Sequence, residues 1–226
     1  MITQLVMIFT VVFLAWTGYQ FLKRAKKVNF PSGKTFAYGL FFIALGILFY
    51  AIRDIFIQVK LYDIQALFLL IGALFHLFGG YLILWFLTKE FGPRSYFKYV
   101  FYFLFGVSLM SFAFFMSGKL FKLESELQQA PLEPFSYFVI RNYLSDPTGI
   151  FILYGAIGLI SALILGVVIV NFFKLKEKKL KGLLYGGGVW FLITPMIICA
   201  VLSPVYARIG YLIGAILVYQ AFKTKV

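Results

Sequence analysis

The sequence predicts an all-α, polytopic membrane protein built as a bundle of seven transmembrane helices. Its 226 residues are 62% hydrophobic and 13% charged, with a mean hydropathy of +0.95. Soluble domains are about 45–50% apolar and about 25% charged. Long uncharged runs recur along the whole chain, and a cluster of basic residues follows every other run, beginning with the first. We therefore interpret residues 1–226 as a single membrane domain.

Seven segments are long and apolar enough to cross a bilayer, which requires roughly 20 residues at 1.5 Å rise each. They are 1–22, 35–57, 62–88, 96–118, 147–173, 182–203 and 205–222. The last two are divided at Ser203 and Pro204, because proline disfavours a helical conformation in the residue before it. The first segment lacks the basic start of a signal peptide, so we expect it to remain as an uncleaved helix.

The distribution of basic residues predicts the orientation of the bundle. Most of the 21 lysines and arginines lie at 23–34, 89–98, 174–181 and in the C-terminal tail. Basic residues in short connections mark the cytoplasmic side. The sequence therefore predicts a multi-pass protein of the cell membrane with its N-terminus outside and its C-terminus in the cytoplasm. We interpret the basic clusters as topology signals that contact anionic lipids at the inner face, not as nucleic-acid sites.

Residues 119–146 form the one long connection between predicted helices, and they lie on the outer side. Leu120, Leu123 and Leu127 share one helical face among charged neighbours, which predicts a short amphipathic helix. Such a segment is too short to cross the membrane and lies at its interface. It either covers the outer mouth of the bundle or forms a lid over a ligand site, and the sequence leaves both alternatives open.

His76 is the first candidate ligand-binding residue. It lies midway along 62–88, and it shares a face with Gly72 and Gly80, which are four residues away on either side. Small residues mark the face that packs on other helices, so His76 should point into the bundle. An ionisable side chain at membrane depth is a functional hypothesis by default. The alternative is a structural, neutral imidazole bonded to a hydroxyl such as that of Ser108, Ser111 or Thr194.

A second group of candidate ligand-binding residues lies near the outer end of the second predicted helix. Arg53 shares a face with Tyr50 and Gly46, and Asp63 follows the short connection to the next helix. These residues would form a polar outer pocket that suits an anionic group. The alternative is interfacial snorkelling with local ion pairing.

Pro195 and Gly187 are the candidate hinge residues. Pro195 lies inside the predicted helix 182–203, where proline removes one backbone hydrogen bond and kinks the helix. Gly187 is the middle of three consecutive glycines in the same helix. The sixth predicted helix is therefore the most deformable one.

The sequence offers no catalytic residues, no metal site and no cofactor site. The chain has one histidine and one cysteine, Cys199, which excludes nearly every histidine-based scheme for metal binding, haem binding or catalysis. No nucleophile–base pair and no carboxylate cluster lies at membrane depth. We therefore expect a protein that is not an enzyme.

Two stretches resemble the seven-transmembrane N-terminal sensor region of some membrane histidine kinases. They are residues 39–56, GLFFIALGILFYAIRDIF, and residues 192–222, LITPMIICAVLSPVYARIGYLIGAILVYQAF. The sequence carries no kinase domain. The resemblance therefore implies signal transduction by a membrane sensor, or by an accessory subunit, that acts through a partner.

The leading functional prediction is an integral membrane sensor or receptor that binds a small apolar or amphipathic ligand. One alternative is a small-solute transporter or channel with two three-helix halves, since Tyr38 and Gly39 are echoed by Tyr185 and Gly186 after a basic loop. Another alternative is a structural subunit of a membrane complex. The partners expected in each case are the lipid bilayer and a membrane or cytoplasmic protein.

Overall fold

The structure, a computed structural model, describes residues 2–58, 62–91, 179–193 and 204–223, and also 103, 106–107, 110, 156, 159 and 162–163. All regular structure in this part of the chain is α-helical, which confirms the predicted fold class there. The helices are α1 (Ile2–Lys27), α2 (Pro31–Gln58), α3 (Tyr62–Phe91), α4 (Lys179–Ile193) and α5 (Pro204–Lys223). The loop 119–146 and most of the fourth and fifth predicted helices fall outside the described residues. The count of seven helices therefore stays a prediction.

Among the residues that the structure describes, three helical segments are long and apolar enough to cross a membrane, namely Leu5–Lys27, Pro31–Arg53 and Leu70–Leu87. This finding indicates a membrane protein. Large apolar side chains are also exposed on the outside of the described helices. A bilayer accommodates exposed apolar side chains of this kind. These side chains include Leu5, Ile8, Phe9, Val12, Trp16, Tyr38, Leu45, Phe78, Ile209, Ile213 and Ile216.

A tight turn at residues 28–30 joins α1 to α2. Asn29 adopts a left-handed conformation with φ of 47°. The N–H of Phe30 donates to the carbonyl of Ala25 at 2.8 Å, and that of Asn29 donates to the carbonyl of Lys26 at 3.3 Å. This pattern is a Schellman motif, which ends a helix by satisfying its last carbonyls. The helices thus continue through most of the basic run, whereas the sequence predicted a longer connection, from 23 to 34.

Glycines bring α2 and α3 into close antiparallel contact at two levels. A Cβ atom on Gly39 would lie 3.1 Å from the carbonyl oxygen of Gly79, and one on Gly46 would lie 2.8 Å from that of Gly72. Glycine allows this approach because it has no side chain to separate the backbones. Gly72 thus packs on a neighbouring helix, as its spacing from His76 predicted.

The remaining helices complete a closed series of neighbours. α4 and α5 pack through Gly188 and Gly214, where a Cβ atom on either residue would lie 2.7–3.0 Å from the carbonyl of the other. Contacts between helices link α1 to α2, α2 to α3, α3 to α4, α4 to α5 and α5 back to α1. Each described helix therefore has a neighbour on both sides.

Basic residues gather at one end of this helix arrangement. α1, α3 and α5 end there, while α2 and α4 begin there, because the α1–α2, α2–α3 and α4–α5 pairs are antiparallel. We call this the basic end of the bundle. The basic residues that these helices contribute to it are Lys23, Arg24, Lys26, Lys27, Lys34, Lys89, Lys179, Lys181 and Lys223.

Candidate functional site around His76

His76 lies fully inside the bundle, with 1% of its surface exposed. Its Nε2 atom is 2.7 Å from the carbonyl oxygen of Leu192 on α4. A carbonyl oxygen only accepts hydrogen bonds, so Nε2 carries the proton and donates it. The imidazole of His76 thus supplies a donor to α4 from a different helix.

The other ring nitrogen of His76, Nδ1, has no hydrogen-bond partner among the described residues. Nδ1 faces α2, since a Cβ atom on Gly46 would lie 3.3 Å from it. With the proton on Nε2, Nδ1 of the neutral ring is an acceptor. A buried acceptor without a partner costs about 1–3 kcal/mol. A buried polar atom without a hydrogen-bond partner requires an explanation in a native protein, and one such explanation is a functional role.

Two tyrosines flank the imidazole ring from different helices. The ring centroid of Tyr211 on α5 lies 5.5 Å from that of His76 in an edge-on arrangement, and that of Tyr50 on α2 lies 6.0 Å away. Both tyrosines are buried. The ring of Tyr50 also covers Gly72, where a Cβ atom would lie 2.6 Å from the tyrosine Cε1. His76 is therefore the point at which α2, α3, α4 and α5 meet.

Arg53 extends this polar region toward the end of the bundle opposite the basic end. It follows Tyr50 by three residues, so the two side chains leave α2 on the same face. Arg53 is buried, with 9% of its surface exposed. The structure therefore gathers three predicted site residues, Tyr50, Arg53 and His76, at the inner surfaces of α2 and α3. The fourth, Asp63, lies in the first turn of α3, and its side chain is outside the described part.

Gly187, one of the two predicted hinge residues, lies on α4. Gly187 is helical, and a Cβ atom placed on it would meet nothing within 4 Å. Close packing therefore does not require a glycine at this position, unlike its neighbour Gly188. Pro195 falls outside the described residues, two positions beyond the described end of α4 at Ile193. The hinge stays a prediction.

Comparison of the chain with protein-family models, with curated proteins and with solved structures gives no match. Among the residues that the structure describes, no group of three histidine, cysteine, aspartate or glutamate side chains could hold a metal ion. Inference about function therefore rests on the geometry around His76.

Aromatic rings of α1, α2, α4 and α5 form a seam of helix contacts toward the basic end. Phe21 of α1 lies 4.5 Å from Phe222 of α5 between ring centroids, and Phe36 of α2 lies 5.7 Å from Tyr185 of α4. The guanidinium of Arg24 lies 5.5 Å from the centroid of Phe222. Aromatic pairs at such distances attract each other beyond simple area burial. The seam consists of Phe13, Trp16, Phe21, Phe36, Tyr185, Tyr219 and Phe222.

The sequence did not reveal three members of the site, namely the Leu192 carbonyl, Gly46 as the neighbour of Nδ1, and Tyr211. The alternative partners named for His76, the hydroxyls of Ser108, Ser111 and Thr194, lie outside the described residues, and the acceptor that the structure shows for Nε2 is a backbone carbonyl.

Proposed function

We propose that the protein is an integral membrane sensor or receptor that binds a small apolar or amphipathic ligand and acts through a partner protein. The observation that carries this proposal is the position of His76, a buried ionisable side chain that contacts three other helices. Ionisable side chains at membrane depth are expensive and mark functional sites. The proposal includes a multi-pass chain in the cell membrane with its N-terminus outside.

The ligand would bind on the side of His76 that is remote from the basic end. Tyr50 and Tyr211 offer aromatic surface there, and Arg53 offers a positive charge for an anionic or polar head group. An amphipathic ligand matches this combination because its apolar body packs on the rings while its head group meets the cation. We further propose that Asp63 lines the site and that residues 119–146 cover it.

The signal would travel from this region to the basic end through α4 and α5. A ligand that displaces α2 or α5 changes the distance between His76 and the Leu192 carbonyl, because the imidazole packs on both helices. α4 then carries the displacement along the seam, where Tyr185 contacts Phe21 and Phe36. Pro195 and Gly187 would provide the flexibility, and a cytoplasmic or membrane partner would read the basic end.

The test is a screen for ligand-dependent stability of the purified protein in lipid nanodiscs, with a panel of lipids and small metabolites. A ligand at 100 times its Kd adds about 2.7 kcal/mol of stability. For a chain of this size that corresponds to a rise in Tm of about 5–10 °C. We expect at least one amphipathic compound to produce such a rise. No rise across the panel would contradict the proposal.

Three variants locate the response. His76→Leu should abolish the ligand-induced rise in Tm, whereas His76→Gln should retain part of it because an amide N–H can still donate to Leu192. Thr17→Val is the matched control, since Thr17 is equally buried but bonds only within α1, to the Phe13 carbonyl at 2.8 Å. An equal loss in Thr17→Val and His76→Leu would show that the response does not depend on the His76 site.

Transport is the second candidate function. The helix contacts favour it in one respect, because α1–α3 form one group and α4–α5 another, with His76 and the seam between them. The two tyrosines of the proposed repeat differ in their surroundings, which weakens the case for the repeat. Tyr38 is 47% exposed, whereas Tyr185 packs in the seam. Solute flux into liposomes that is lost in His76→Ala or Pro195→Ala would establish transport.

A further inference from the structure

The α1–α2 turn presents apolar side chains between lysines at the basic end. Val28 is 63% exposed and Phe30 is 38% exposed, and the adjacent Lys26 and Lys27 are exposed as well. We call residues 26–30 the basic turn. An exposed apolar tip beside cations suits a surface that is charged outside and apolar just beneath, which describes a bilayer of anionic lipid.

The basic turn is held in a fixed shape. The Schellman hydrogen bonds close it, and Pro31 begins the next helix immediately after it. Phe30 also contacts Phe86 of α3 edge-on, at 6.4 Å between ring centroids. A preformed turn loses little conformational entropy when it binds a partner, so its affinity benefits.

The last turns of α3 lie at the same end of the bundle and carry a second pair of interfacial residues. The ammonium of Lys89 lies 4.6 Å from the centroid of the Trp85 ring. Tryptophan and lysine are the residues that anchor helices at the level of lipid head groups. The basic end therefore carries interfacial aromatic rings and cations on two helix ends.

We propose that the basic turn binds the phosphate groups of anionic phospholipids. The ammonium groups of Lys26 and Lys27 bind the lipid phosphate, while Val28 and Phe30 lie at the boundary of the acyl chains. The exposed apolar tip favours a lipid over a nucleic acid, which would meet only the charges. This inference is independent of the sensor function. It places the basic end at the leaflet that is richer in anionic lipid.

The test measures lipid affinity of the purified full-length chain in detergent micelles, titrated with phosphatidylglycerol or with phosphatidylcholine, by native mass spectrometry. Each lysine near an anionic lipid surface contributes about 1 kcal/mol, or about fivefold in affinity. We expect Lys26→Gln/Lys27→Gln to bind phosphatidylglycerol about 25-fold more weakly than wild type. Binding of phosphatidylcholine should change much less.

The control is Lys223→Gln/Lys225→Gln, which removes the same charge at the end of α5. This variant should keep most of the affinity for phosphatidylglycerol. Equal losses in the two double variants would show that net charge alone attracts the lipid, and would overturn a site at the turn. Unchanged affinity in Lys26→Gln/Lys27→Gln would also overturn it. Val28→Ser should weaken lipid binding while leaving binding of a short single-stranded RNA unchanged. Weaker RNA binding with unchanged lipid binding would overturn the lipid site and favour a nucleic-acid surface.

Discussion

The Nε2–H of His76 on α3 donates a hydrogen bond of 2.7 Å to the carbonyl oxygen of Leu192 on α4. The two residues are 116 positions apart in sequence, and the bond joins the first three helices to the last two described ones. A bond of this kind at membrane depth holds α4 at one height relative to α3. Its loss is the simplest change that would let α4 move.

The first prediction concerns the strength of this bond. His76→Leu should lower the free energy of unfolding by at most about 1.7 kcal/mol, because interhelical hydrogen bonds in membranes average about 0.6 and reach about 1.7 kcal/mol, while removal of the unpartnered Nδ1 offsets part of the loss. His76→Gln should lower it less, because the amide N–H can replace Nε2–H as donor. The measurement is equilibrium unfolding of each variant in mixed micelles. If Gln and Leu destabilise the protein equally, the bond to Leu192 contributes nothing measurable.

The second prediction concerns the tautomer of His76, which is the only histidine of the chain. Selective ¹⁵N labelling of histidine therefore yields the signals of one imidazole without assignment, provided that no histidine tag is present. We expect one protonated and one bare ring nitrogen, with Nε2 protonated because a carbonyl only accepts. Long-range couplings to the ring protons identify which nitrogen is which. A protonated Nδ1 beside a bare Nε2 would contradict the hydrogen bond to Leu192.

Hydropathy and charge predicted the parts of this fold that depend on single segments. The three helices that can span a membrane coincide with predicted ones, and Gly72 correctly indicated that His76 points inward. The ends of α1 and α2 were less predictable. Lysine is a good helix former whose stem can lie along apolar surface, so residues 23–27 continue α1 where a loop was expected.

The partners of His76 could not be predicted, for a different physical reason. Hydrophobic periodicity shows which face of a helix is buried but not which helix covers that face. Leu192 and Tyr211 reach His76 only because α4 and α5 fold against α3, and nothing near residue 76 in sequence indicates this arrangement. Leu192 also acts through its backbone, so the type of its side chain carries no signal.

The third prediction concerns the glycine contact beside His76. Gly46→Ala should lower the free energy of unfolding by about 1–3 kcal/mol, the usual cost of overpacking. The added Cβ atom would lie 2.8 Å from the carbonyl oxygen of Gly72 and 3.3 Å from His76 Nδ1. The helices must separate to relieve the first contact. The same variant should therefore shift the ¹⁵N signal of Nδ1.

Gly187→Ala is the control for this substitution. A Cβ atom at Gly187 meets nothing within 4 Å. Alanine is favoured over glycine inside a helix by roughly 0.5–1 kcal/mol, so this variant should be as stable as wild type or more stable. Similar destabilisation by both alanine variants would mean that tight contact with α3 does not explain the effect at Gly46. A loss of ligand response in a stable Gly187→Ala protein would support the hinge role.

The fourth prediction concerns Asn29, which adopts a φ of 47° in the turn between α1 and α2. The left-handed conformation costs most L-residues roughly 1–2 kcal/mol, whereas glycine adopts it freely. Asn29→Val should therefore lower the free energy of unfolding by about 1–2 kcal/mol, since valine is also branched at Cβ. Asn29→Gly should stay within about 0.5 kcal/mol of wild type. Val28→Ala, at the exposed neighbouring position, controls for a change of apolar surface in the turn without a residue at positive φ. If valine and glycine at position 29 give equal stabilities, the conformation of Asn29 does not limit the turn.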